Sequence, residues 1–275
     1  MKADWEAYIN GGKLRIITTG GLYYSNGSQE NHNYTGNTDN LDDAYTSSPK
    51  GIKIGTKNVH GALEITGGDI MVRTTGNNAE GIESKGTLTV TDGTVMVSAH
   101  DDGINSSGDL TISGGTVVTV GTDNDGIDAN GNMYLKGGTL IAMGAGGAEA
   151  GIDISEDKKL YISGCNIFGI GGRFDGSIGS TTQGIVSTTG SVSANSTVTI
   201  SDGSTTLATF TLPPYSYSNG TIMVSAPSMT SGNSYTLNLG SQSLSVTASN
   251  SVSGGMGGGM PGGGMPGGGM PGGRW

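Results

Sequence analysis

Acidic side chains recur at fixed offsets from a repeated Gly-Ile pair, and they are the residues best equipped for chemistry. The pair occurs at Gly51-Ile52, Gly81-Ile82, Gly103-Ile104, Gly126-Ile127 and Gly151-Ile152, with spacings of 30, 22, 23 and 25 residues. The residue before it is Lys50, Glu80, Asp102, Asp125 and Ala150 in turn, and the residue after it is Lys53, Glu83, Asn105, Asp128 and Asp153. Further upstream come Ala79, Asp101, Asn124 and Glu149, preceded by Asn78, His100, Asp123 and Ala148. If equivalent positions stack, carboxylates lie about 5 Å apart, a repulsion of about 1 kcal/mol in water and several-fold more at low effective dielectric. Raised pKa values, neighbouring Lys or Arg, or bound cations relieve such a row. Between Glu80 and Asp157 the chain holds thirteen acids and two bases, Lys85 and Lys136, so cations are the expected relief. An all-oxygen donor set suits Ca²⁺. The expected ligands are Asp101, Asp102, Asp123, Asp125 and Asp128, with Glu80, Glu83, Asn105 and Asn124 around them. The plain alternative is a row of Asp and Asn chosen because they cap turns and tolerate left-handed backbone.

Other chemistries find less support. Asp123-Asn124-Asp125-Gly126 opens like an EF-hand loop, but the glutamate required at loop position 12 is Tyr134. Asp101 or Asp102 with Asp125 would be the carboxylate pair of a glycoside hydrolase. A lyase acting on uronates needs Ca²⁺ and a cationic base, for which Lys85, Lys136 and Arg73 are the choices. His32, His60 and His100 follow no metal or triad spacing, and Cys165 sits at a turn as a packing residue. No catalytic residue is assigned. Tyr23, Tyr24, Tyr34, Tyr45 and Tyr134 are the candidate rings for stacking on sugars. The acidic field opposes nucleic acid and anionic membranes, and no apolar run approaches the ~18 residues of a spanning helix.

The elements that position these residues follow from the same repeat. After each Gly-Ile comes an alternating strand such as Leu88-Thr89-Val90 or Leu110-Thr111-Ile112, then a turn such as Asp92-Gly93 or Gly114-Gly115, then another strand such as Val95-Met96-Val97. Upstream, Leu63 to Val72 and Ile9 to Ile16 repeat the last two strands. Three short strands every 22 to 25 residues describe one coil of a right-handed parallel β-helix, about five coils with the first partial. Stacking at ~4.8 Å then supplies both the core and the hydrogen bonds. The 53 glycines exclude a helical bundle, and the single cysteine excludes a disulfide scaffold.

Residues 1–172 are assigned to this β-helix, with residues 21–48 as an insertion that carries four of the tyrosines. Residues 173–250 read as antiparallel β hairpins that cap the solenoid, and residues 251–275 as a disordered Gly/Met/Pro tail. Met1 opens in mid-coil with no apolar leader after it, so an upstream coil or cap is expected, and no signal peptide lies in this chain.

The segments Glu-Gly-Ile-Glu-Ser, Asp-Asp-Gly-Ile-Asn-Ser and Asn-Asp-Gly-Ile-Asp-Ala, each followed by an alternating strand and a glycine turn, resemble a bacterial carbohydrate-binding domain family. The resemblance covers roughly residues 50 to 250, and the tail is similar too. It implies a polysaccharide-lyase-like β-helix, secreted or displayed on the cell surface. It further implies Ca²⁺ between coils and plant polysaccharides such as cellulose and polygalacturonate as ligands. The expectation is therefore non-catalytic, calcium-dependent binding of polysaccharide from a plant cell wall or a host glycan. A pectate-type lyase and a surface adhesin or rigid structural solenoid are the alternatives. Neither a nucleic-acid partner nor membrane insertion is expected.

Overall fold

The computed structural model describes residues 1–21, 23–24, 46–47, 49–174 and 176–252. All regular structure among them is β, with no helix. Short strands β1 (Lys2–Ala3), β5 (Lys50–Ile54), β7 (Glu80–Ser84), β9 (Ile104–Ser106), β11 (Ile127–Ala129) and β13 (Ile152–Ile154) make a six-stranded sheet in that order. Long strands β2 (Glu6–Thr18), β6 (Ala62–Thr74), β8 (Thr87–Ala99), β10 (Leu110–Gly121), β12 (Met133–Met143) and β15 (Asn166–Gly171) make a second sheet, again in chain order. Every pairing between these neighbours is parallel. The chain therefore crosses from one sheet to the other and back once per repeat. β14 (Lys159–Ile162) and β16 (Ser177–Thr181) extend the second sheet beside β12. Antiparallel β3 (Tyr23–Tyr24) and β4 (Thr46–Ser47) pair with each other.

β2, β6, β8, β10 and β12 each turn near the middle at a glycine of positive φ. β8 alternates buried and exposed before Asp92 and after Thr94, and the register slips at the turn between them. Gly93 holds φ +96° there, and a Cβ on it would sit 2.8 Å from both Gly67 C and Gly68 O of the preceding repeat. Only glycine lets two stacked corners approach so closely. The Gly-Ile pair has a similar cause. A Cβ on Gly126 would lie 2.5 Å from Gly151 O and 2.8 Å from the Met143 amide, while Ile127 beside it is fully buried.

Parallel register turns the repeat into columns. Ile52, Ile82, Ile104, Ile127 and Ile152 stack in one, and Leu63, Leu88, Leu110, Met133 and Leu160 in another. All are buried in one core. Each such side chain contributes about 1.5–3 kcal/mol by leaving water. Small polar residues at the edge of this core are hydrogen-bonded: Ser106 Oγ donates to Gly86 O at 2.9 Å, and Thr119 Oγ1 donates to Gly126 O at 2.6 Å.

A second core lies on the other side of the long sheet. Ile141, Met143, Phe168 and Ile170 face away from the first core, yet all are buried. They are covered by residues of β17 (Ile185–Val192), β18 (Thr197–Asp202), β19 (Thr205–Thr211), β20 (Tyr217–Ser225), β21 (Ser234–Leu239) and β22 (Ser243–Thr247). β20 pairs antiparallel with both β15 and β17, which extends the long sheet, and β19-β18-β21-β22 form a separate antiparallel sheet. Phe168 meets Phe210 with ring centroids 5.8 Å apart.

Candidate functional site

The short sheet carries the charged rows. Its register sets Lys50 opposite Glu80, and lines up Lys53, Glu83, Asn105, Asp128 and Asp153. The first two repeats supply their own cations. Lys50 Nζ lies 2.7 Å from Glu80 Oε1, and both side chains are nearly buried. Lys53 Nζ lies 3.3 Å from Glu83 Oε2, and Lys85 Nζ pairs with Glu83 Oε1. Burial pulls the Lys50 ammonium down, but Glu80 and Glu83 outweigh it and hold the group above its ordinary value. Burial raises the Glu83 carboxyl; Lys50, Lys85 and Lys53 together bring it below the usual range. This corrects the expectation that Lys and Arg are too scarce to compensate the acids. Two of the three lysines belong to the repeat before the acidic stretch, and stacking brings them across.

Further along the rows, Asp102, Asp125 and Asp128 pair with no lysine among the described residues. Asp102 Oδ1 accepts the Asp125 N–H at 3.1 Å, and its Oδ2 accepts Asn105 Nδ2 at 2.9 Å. Asp125 Oδ1 accepts the Ala150 N–H at 2.5 Å. Each Asp thus caps the backbone of the same position one repeat on, which is the turn-capping role that competes with metal binding. Asn124 Nδ2 donates to Asp101 Oδ1 at 2.9 Å. Burial pushes the Asp102 carboxyl up to about 9, with Glu80, Asp101, Asp128 and Asp125 adding to it. Burial likewise takes Asp125 up to about 8 against the opposing Ala150 N–H. Asp128 rises to about 7 through burial and the nearby Asp153. Asp123 is exposed, with Oδ2 3.9 Å from His100 Nδ1.

The donor chemistry of Asp102, Asp125 and Asp128 fits a hard divalent cation: oxygen only, crowded and short of counter-charge among the described residues. Among the described residues, no three His, Cys, Asp or Glu side chains already converge as a metal cage.

Aromatic candidates divide by position. Tyr34 and Tyr45 lie outside the described residues, as do His32 and the Gly/Met/Pro tail from residue 253 on. Tyr23 and Tyr24 form the short strand β3. Tyr134 lies in the outward row Tyr8, Glu64, Thr89, Thr111, Tyr134, Tyr161 of the long sheet. It stacks on Tyr161 with centroids 4.9 Å apart and planes 9° from parallel, and Lys136 Nζ stands 4.8 Å from its centroid. One ring face is therefore taken by a neighbouring strand. Among the residues whose burial is described, the most exposed aromatics are Trp5 at 67 % and Tyr8 at 63 %, neither of them a sequence candidate. For Tyr8 the signal was present: it falls between Ala7 and Ile9, which pack against the first core, so alternation aims it outward.

Two of the three candidate lyase bases are held by neighbours. Lys85 is paired with Glu83 and Lys136 rests on Tyr134, while Arg73 lies in the long sheet. Cys165 is buried, and burial pushes its thiol up to about 12.

Stacked parallel strands with outward polar and aromatic rows define a protein that presents a surface. The family described as carbohydrate-binding domain-containing protein matches residues 1–118 and, in a second overlapping match, residues 58–210. Together the matches cover more than half the chain, and the chain belongs to that family. No curated protein and no solved structure matches it.

Proposed function

We propose that the chain is a non-catalytic polysaccharide-binding protein, built as a right-handed parallel β-helix and working outside the cell or at its surface. The family match over residues 1–118 and 58–210 is the observation that carries this reading. The β-helix is supported by a chain that returns to each parallel sheet once per repeat, and its hand by the strong right-handed preference of parallel crossovers. A polymer suits such a molecule because outward positions repeat every ~4.8 Å along the stack. Pectin-like and cellulose-like chains are the proposed ligands. Calcium is the proposed partner of Asp102, Asp125 and Asp128, where it would supply the counter-charge that lysines provide to Glu80 and Glu83.

Retention on insoluble cellulose or pectin, with and without calcium, tests the reading. Capture without release of soluble product is expected, stronger with calcium. Appearance of the ultraviolet absorbance of an unsaturated uronate product would instead make the protein a lyase. A melting temperature indifferent to chelator, in protein holding no metal, would remove calcium from the proposal.

A further inference from the structure

One outward row in the second half of the long sheet is apolar from β15 to β6, but only part of it is covered. Where β12 and β15 lie, Ile141 and Phe168 are sealed under the C-terminal strands. The same row runs on through Val118, Met96 and Met71 to Arg15. Met71 and Met96 are 39 % and 40 % exposed, and Ile17 on the neighbouring row is 52 % exposed. The open part is thus a ledge that continues an interface the molecule already forms. Its back is Tyr215, whose hydroxyl hydrogen-bonds Ser98 Oγ at 2.6 Å.

Two arginines stand on this ledge. Arg15 lies opposite Met71 and Arg73 opposite Ile17, so the two are diagonal neighbours roughly 7–8 Å apart at the backbone. Both are exposed. Among the described residues neither makes an ion pair or a hydrogen bond. The chain has a net charge of −10, yet the outward positions from Lys13 to Ile17 and from Asp69 to Arg73 hold three bases and one acid. Guanidinium groups bind carboxylates through paired, charge-assisted hydrogen bonds. The thioether chains of Met71 and Met96 and the sec-butyl group of Ile17 offer an apolar surface for the C–H face of a sugar ring. An apolar floor with unpaired planar cations matches a polymer of sugar rings that bears carboxylates.

We infer that Arg15 and Arg73, with Ile17, Met71 and Met96 as floor, form the subsite that selects acidic over neutral glycans. The inference rests on the proposed glycan-binding function and assigns its charge selectivity to a surface away from the acidic rows.

Calorimetric titration of the full chain, without added calcium, with soluble polygalacturonate and in parallel with hydroxyethyl cellulose tests it. The double variant R15Q/R73Q is expected to lose about tenfold or more in affinity for polygalacturonate, with its melting temperature and its response to hydroxyethyl cellulose unchanged. The variant K159Q removes one charge from another strand and is expected to bind as the native chain does. Undiminished polygalacturonate binding by R15Q/R73Q, or an equal loss in K159Q, overturns the assignment. A native chain that takes up only the neutral polymer overturns it while leaving glycan binding intact; one that takes up neither polymer removes both. A dimer in sedimentation that R15Q/R73Q dissolves would give the ledge to a second copy of the chain and overturn it as well.

Discussion

Glu80 and Lys50 form a contact whose loss is felt from both sides. Lys50 is almost fully buried, so Glu80→Ala removes the nearest counter-ion of an ammonium that water cannot reach. A cost of about 3 kcal/mol is expected, read as a lower denaturation midpoint at unchanged slope. Asp102 gives a prediction of opposite character. In the unfolded chain its carboxyl ionises near 3.8, but in the fold not until about 9. The folded state therefore binds the extra proton between those values. Its contribution to stability is complete below about pH 4 and is lost as the pH rises towards about 9. Metal-free protein should melt at progressively lower temperature across that window. Asp102→Asn keeps an oxygen for the Asp125 N–H and removes the ionisation, so its melting temperature should depend less on pH. An unaltered pH dependence would show that the proton resides elsewhere. The sequence made the stacked acids visible through their offset from Gly-Ile, but not the lysines that answer Glu80 and Glu83. Charge counted along a chain does not register a partner one repeat away.

At the scale of elements, the glycine corners and the Gly-Ile strands were legible because close approach of stacked backbones leaves glycine alone acceptable. Gly93→Ala forces a Cβ into the backbone of the preceding corner at positive φ. About 2 kcal/mol or more of destabilisation is expected by chemical denaturation. Turn residues and alternating patches also marked the C-terminal strands. What those strands cover was harder to see. Leu140 to Met143 and Ile167 to Ile170 are unbroken apolar runs, the signature of strands buried on both faces, whereas alternation alone predicts one wet face. Nothing local says that β20 would join β15 antiparallel, because pairing between distant segments is decided by complementary faces. Phe168→Ala tests the second core. It leaves Phe210 without its partner and should cost about 3–5 kcal/mol. Proteolytic cleavage should then concentrate in residues 185–247.

Across the whole molecule, stability is set by neighbours. β2 pairs with β6 alone among the described strands, and its Ile9, Leu14 and Ile16 are only partly buried. β12 is flanked on both sides and packs into both cores. Amide hydrogen exchange should therefore slow from β2 through β6 and β8 to β12. Uniform protection would indicate a single cooperative unit instead.

The Lys-to-Asp order of the short sheet has a further consequence. A row that reads Lys53, Glu83, Asn105, Asp128, Asp153 has a head and a tail, and beside it Lys50 lies opposite Glu80, with Asp102 and Asp125 following in the next two repeats. With Arg15 and Arg73 at the same early end, the charges of these described rows are polarised along the stacking direction. A polyanion approaching within the Debye length, about 8 Å at physiological salt, exerts a torque that turns the early repeats towards it. Encounter is thereby oriented before any contact forms, and dissolved salt weakens that orientation.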